Sequence, residues 1–436
     1  MTIPSPADLL QSLLRFDTTN PPGNEADCVA WVDRLLRDAG LTPTIVGLVP
    51  ERPNLVARLE GRGAAPPMLV HGHVDVVSTA GQPWSVPPFE GRAQDGEIWG
   101  RGALDMKGGV ANLLWAALRL QAEGARPPGD VVIAVLSDEE AGSDYGARFV
   151  VERHPELLDG VRFAIGEGGG QSSELAGRRI YPVAVDEKRV CWMHAVLAGP
   201  GGHGSSPVFG GAVAGLRRLL DGLDSRWLPV HVTPVARLEV GAMADAVPDP
   251  LSGQLRALLD PARTDATLAE LGDVSRRLGP ILHNTVSVTG LRGSDKVNVI
   301  PSEVHVDLDG RLLPGFAAPD LVAEVRAAAG DGFDLEVVRT EAPGSVDPDL
   351  TGYHQLAEVL TELDPEGTPV PTVVAGFTDG CQFAKLGIQN YGCLPARLPS
   401  GFRTDRYVHA ADERIPVDAL EFGAEAVYRF LQRGLG

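Results

Sequence analysis

Cysteine is scarce. Only Cys28, Cys191, Cys381 and Cys393 occur in 436 residues, scattered and without a C-x-x-C spacing. Thiols so placed read as buried and reduced, which excludes a disulfide scaffold and makes the cytoplasm the default compartment. Long apolar runs are missing too. With no stretch of about 18 apolar residues, nothing is expected to span a membrane. The start, Met1-Thr2-Ile3-Pro4-Ser5-Pro6, lacks the basic residues and apolar core of a signal peptide. Basic residues are in deficit: 38 Lys and Arg stand against 58 Asp and Glu, a formal net charge of −20. That balance argues against nucleic acid or an anionic membrane as partner. There are no repeats and no low-complexity segment. What remains, 44% hydrophobic and 22% charged residues, is an ordinary globular composition long enough for two or three domains with ample core.

The chemistry is concentrated in Val70-His71-Gly72-His73-Val74-Asp75-Val76-Val77 and in Gly100-Arg101-Gly102-Ala103-Leu104-Asp105-Met106-Lys107-Gly108-Gly109. The apolar run Met68-Leu69-Val70 leaves proline and predicts a buried strand. On an extended chain His73 and Asp75 share a face. A neutral imidazole is a good zinc ligand, and a neighbouring carboxylate can hold its other nitrogen. Asp105 sits in a glycine-flanked turn before the apolar run Val110 to Leu120, where an anion can meet a helix N-terminus or a metal. Ser137-Asp138-Glu139-Glu140 follows the apolar strand Val131 to Leu136, and Glu167 in Gly166-Glu167-Gly168 follows Val161 to Ile165. His409 lies in Tyr407-Val408-His409. Acidic groups and histidines beyond the carboxyl ends of several strands are how an open α/β sheet builds a site. Two histidines and four carboxylates suit two borderline-hard cations about 3.5–4 Å apart.

The alternation of strand-like and helix-like segments to residue 186 predicts a largely parallel sheet with helices on its faces. The texture changes near residue 187. Strand, helix, two strands, helix and strand then follow, an α+β sandwich of their own. The expected organisation is one domain inserted in another: 1–186 with 342–436, around 187–341. Ser225 to Leu282 is longer than the inserted sandwich needs.

These motifs, in this order, resemble the co-catalytic di-zinc peptidase family of glutamate carboxypeptidase, aminoacylase, carboxypeptidase S, acetylornithine deacetylase and succinyl-diaminopimelate desuccinylase. The resemblance covers nearly the whole chain. It implies a mostly parallel-sheet α/β catalytic domain with an inserted ferredoxin-like lid that commonly mediates dimerisation. It implies two Zn2+ per chain, with Co2+ or Mn2+ as substitutes, on His73, Asp105, Glu140, Glu167 and His409. Asp105 bridges, His73 and Glu167 complete one subsite, and Glu140 and His409 complete the other. Glu139 is then the general base and Asp75 the orienter of His73. His203, in Gly202-His203-Gly204, stabilises the oxyanion, often at the other subunit's site. Asn298, Arg311 and Thr378 match the family's substrate-contact motifs.

The activity implied is hydrolysis of the amide bond of an N-acyl amino acid or short peptide with a free carboxylate, by a zinc-bridged hydroxide. A deacetylase or desuccinylase of a biosynthetic intermediate is the alternative, and a non-catalytic metal-binding scaffold a remote one. His71 falls outside the H-x-D motif and reads as structural; His194 falls outside the motifs as well. A dinucleotide-binding reading fails, because Gly166 to Gly170 lacks the GxGxxG spacing. Two features depart from the pattern or stand outside it: alanine follows His409 where many relatives have glycine, and Leu394 to Arg406 has no assignment.

Overall fold

The computed structural model describes residues 3–435. It divides into two compact units: the chain up to Val185 with Asp349–Thr372 and everything from Thr378 on, and Asp186–Pro348 with Val373–Phe377. The return to the first unit therefore falls at Asp349 rather than the expected residue 342, and 373–377 belong to the second unit.

The first unit is built on a mixed sheet whose path runs Thr44–Val46, Asn54–Leu59, Val131–Leu136, Met68–His73, Phe163–Gly166, Gln389–Gly392, Arg178–Glu187, Gly367–Val374. Its centre is parallel: Met68–His73 pairs in parallel with Val131–Leu136 and with Phe163–Gly166, which pairs in parallel with Gln389–Gly392. Antiparallel neighbours flank that centre. Every residue of Met68–His73 and of Val131–Leu136 is buried, as strands covered on both faces require. One face packs Leu69, Val132, Ala134 and Leu136 against the helix Ala147–Arg153 and Phe383. Gly72, three residues on from Leu69, points to the other face. A methyl there would stand 2.5 Å from Met106 and 2.9 Å from Val110, at the start of the helix Lys107–Ala122. Glycine lets that helix close on the strand.

The second unit is a four-stranded antiparallel sheet ordered Thr285–Arg292, Glu303–Leu312, Arg189–Ala198, Asp334–Thr340. Its helices Ala212–Leu223 and Ala318–Ala329 bury Leu219, Leu321 and Val325 against Met193, Ala195, Val306 and Leu308 on one face. A two-stranded ribbon pairs Gly202–His203 with Val299–Ile300. The helices Pro234–Ala246, Leu251–Ala257, Thr264–Glu270 and Asp273–Leu282 fill the extra length after Ser225. A single helix is expected from about Asp265 to Leu278. Gly272, at φ +55°, divides it in two. Among the described residues no helix is long and apolar enough to cross a membrane.

Candidate metal centre

Three neighbouring parallel strands end at His73, Leu136 and Gly166. The first strand end carries His73 itself; Glu139, Glu140 and Glu167 follow the other two. Asp105 enters from the turn before Lys107–Ala122, and His409 from the loop before the strand Arg414–Pro416. The result is two groups of metal-ligand type, His73 with Asp105 and Glu167, and Asp105 with Glu140 and His409. Asp105 belongs to both. One of its oxygens lies 3.4 Å from His73 Nε2, the other 3.1 Å from His409 Nε2. Glu167 stands 3.4 Å from His73 Nε2, and Glu140 3.3 Å from His409 Nε2.

These donors fit divalent cations. His73 Nε2, Glu140 Oε1 and Glu167 Oε1 are buried and have no hydrogen-bond partner. Native interiors seldom leave such atoms unpaired, and a bound ion is among the standard reasons. The charges point the same way. Burial works against ionised His73, but Glu167, Asp105 and Asp75 outweigh it and hold the imidazole well above its ordinary value. Burial likewise pushes Asp105 up, yet hydrogen bonds from His409 and His73 win and hold it below the usual carboxylate range. Burial raises Glu167, and raises Glu139 with help from the Glu167 charge. Four carboxylates share this pocket with two imidazoles, so the cluster has an excess of negative charge that cations would neutralise.

Glu139 Oε2 lies 3.8 Å from His73 Nε2, beside the first group. The Glu139-Glu140 segment is held by Asp75, whose carboxylate accepts both main-chain N–H groups at 3.1 Å. Asp75 serves His73 less directly than the H-x-D motif suggests. His73 Nδ1 bonds the Asp75 main-chain carbonyl at 3.0 Å, with the carboxylate at 3.4 Å.

Several residues of this framework escape motif reading. Asn20 donates to Asp75 and to Asp138 at 2.8 and 3.0 Å. Arg52 reaches Asp138 and Glu25, each at 2.9 Å. Ser143 donates to buried Asp379, whose carboxyl is pushed up to about 8 by burial. Of these, Asp138 left a signal as one of the three acids in Ser137-Asp138-Glu139-Glu140, and Asp379 as the neighbour of Thr378 in its motif.

His71 is buried with Nε2 2.9 Å from Asn390 Oδ1 and its ring against Phe383. Burial lowers it to about 4. Thr378 is also buried, its hydroxyl accepting the Gly380 N–H at 3.0 Å. His203, Asn298 and Arg311 belong to the second unit. His203 is exposed on the ribbon opposite Val299, its Nδ1 2.7 Å from Ser205 Oγ. Asn298 is exposed beside it, its carbonyl accepting the Gly204 N–H at 2.8 Å. Arg311 lies on the sheet face away from the helices and is held by Asp309 through two hydrogen bonds of 2.7 and 3.0 Å. His194, on that face, bonds Asp307 at 2.9 Å.

Residues 69–433 match the profile of peptidase family M20/M25/M40. Aminoacylase-1 of Sus scrofa is 26% identical over 423 residues, 93% of this chain and 89% of that protein. The N-fatty-acyl-amino acid synthase/hydrolase PM20D1 of Xenopus tropicalis is 26% identical over 374 residues, 84% of this chain and 72% of that protein. The M20 family metallo-carboxypeptidase Sso-CP2 from Sulfolobus solfataricus superimposes with a TM-score of 0.71 at 18% identity, covering 97% of each chain. With a matched profile over most of its length and a fold shared with M20 enzymes, the chain belongs to peptidase family M20/M25/M40 and is a metal-dependent hydrolase.

Proposed function

We propose that this enzyme hydrolyses the amide bond of an N-acyl amino acid or a short peptide bearing a free carboxylate. The observation that carries the reading is the sharing of Asp105 between two ligand groups, with the carboxylate of Glu139 alongside. Mixed imidazole and carboxylate donors suit zinc, which we assign to both groups: His73, Asp105 and Glu167 would hold one ion, Asp105, Glu140 and His409 the other. Such ions would supply Lewis acidity for amide hydrolysis.

The chain's own residues do the rest. Glu139 takes the proton from the water and returns it to the departing nitrogen. The main-chain N–H bonds to Asp75 fix the segment on which Glu139 rides. The family resemblance assigns the oxyanion to His203, the substrate carboxylate to Arg311 and Thr378, and the scissile amide or that carboxylate to Asn298; a planar guanidinium suits the carboxylate. We also infer a homodimer formed through the second unit, where Phe209, Val213 and Val297 stand exposed. Four buried cysteines, none of them in a disulfide, support a reducing compartment, the cytoplasm.

The test is hydrolysis of a panel of N-acyl amino acids and dipeptides, with metal counted on the same preparation. Two ions per chain and chelator-sensitive release of a free amino acid are expected. Two ions with no release from any N-acyl amino acid or peptide would overturn the substrate assignment, and no bound metal would overturn the ligand assignment.

A further inference from the structure

Glu413 is fully buried and belongs to neither ligand group. Its carboxylate is nonetheless saturated. Oε1 accepts the N–H groups of Leu104 and Asp105 at 2.8 and 3.1 Å; Oε2 accepts Arg101 Nη1 at 2.6 Å and the Gly102 N–H at 3.1 Å. Three main-chain donors of the turn that presents Asp105, those of Gly102, Leu104 and Asp105, thus converge on one side chain. That side chain lies four residues beyond His409.

The His409 end is tied back by the same arginine. Arg101, buried to 1% exposure and stacked over Trp84, gives its other terminal nitrogen to Gln82 Oε1 at 2.7 Å. Gln82 Nε2 donates to the His409 main-chain carbonyl at 2.9 Å. His409 needs such a hold, because it is a non-glycine residue at φ +60° with its side chain about half exposed. Asp412, at φ +59°, is pinned by the N–H and hydroxyl of Ser85, both at 2.7 Å. The loop from His409 to Glu413 and the turn from Arg101 to Asp105 are therefore closed into one hydrogen-bonded ring.

We propose that Glu413 is a positioning residue for the metal subsite of Asp105, Glu140 and His409, fixing two of its three ligands relative to each other through this ring. The inference rests on the metal-binding reading above. An ionised carboxylate suits the place because all four partners are donors; an amide would turn its NH2 toward some of them.

The experiment titrates metal-free protein with Zn2+ in competition with a chromophoric chelator. Wild type is expected to show two binding events. His409→Ala identifies which of them is the His409 subsite. In Glu413→Gln that event is expected to weaken by about 10–100-fold, the usual effect of removing a partner behind a metal ligand. The other event should change less, and excess Zn2+ should restore kcat. Two events of wild-type affinity in Glu413→Gln would overturn the proposal, as would equal weakening of both. If that variant does not fold, Gln82→Ala, which leaves the carboxylate in place, decides. Weakening of the His409 event supports the ring, and unchanged affinity overturns it. Wild type that binds no Zn2+ would instead strike the ligand assignment itself.

Discussion

The side-chain amide of Asn20 bonds one oxygen of the Asp75 carboxylate at 2.8 Å, the oxygen that also receives the Glu140 N–H. Asp75 is therefore ringed by donors, and burial, which would raise its pKa, is outweighed by His73 and Asn20, which hold it low. Asp75→Asn puts an NH2 against some of these donors. We expect kcat to fall by about 10–100-fold with KM little changed, as for other groups that orient metal ligands. Steady-state kinetics on the best substrate would check this; a change confined to KM would contradict it.

Glu139→Gln separates catalysis from assembly. The amide keeps the shape but cannot take a proton. Loss of kcat by about 10²–10⁴-fold is expected, the usual contribution of a general base. Metal content should match wild type, since Glu139 belongs to neither ligand group. Full activity with both ions present would remove Glu139 from the mechanism.

Arg52 compensates two buried carboxylates at once. Its side chain is 8% exposed, and those of Glu25 and Asp138 are 0% and 3% exposed. Arg52→Met leaves both anions without it, and breaking a buried pair from one side costs about 3–5 kcal/mol. Urea unfolding should show this as a lowered midpoint. A shift under 1 kcal/mol would mean that Asn20 and the Tyr145 N–H, 2.9 Å from Asp138, suffice.

Asp186 gives the second unit a pH dependence of known sign. Its Oδ1 accepts the Glu187 N–H at 2.7 Å, while Oδ2 is buried without a partner. Burial pushes the carboxyl up to about 6 despite Arg189. A folded value above the unfolded one means the folded state binds the extra proton. The stabilisation is complete below about 4, the ordinary carboxylate value, and is lost as pH rises through about 6. Asp186→Asn carries no such titration, so its stability relative to wild type should improve from pH 4.5 to pH 7.5. Parallel urea curves at both pH values would check it, and a constant difference would refute it.

The elements that could be read from the sequence are those whose signal is local. Val131–Leu136 appears at its expected bounds because it is an apolar run with punctuation at its ends. Four of the five side chains named as ligands lie at or beyond a strand end or in a glycine-flanked turn, and His409 joins them from the loop before Arg414–Pro416. Gly367–Val374 was not legible, since Pro369 and Pro371 argue against a strand; it forms at the last position of the sheet path, where a missing N–H is tolerated. The hairpin Arg92–Gln94 and Glu97–Trp99 is built of strands of three residues each, too short to carry a periodic signal. The framework around the ligands was invisible for another reason. Asn20 and Asp75 are 55 residues apart, Arg101 and Glu413 312 apart, and no spacing rule reaches that far.

The division of the first unit into three chain segments has a consequence for synthesis. His73, Asp105, Glu140 and Glu167 all precede the second unit, whereas His409 and Glu413 follow the final crossing at Thr378. A growing chain therefore carries an acidic, half-furnished pocket while the whole second unit is made. The ring around Glu413 cannot close until residue 413 has been added. On the ligand assignment proposed above, no chain that stops short of residue 409 holds the complete set of metal-binding side chains.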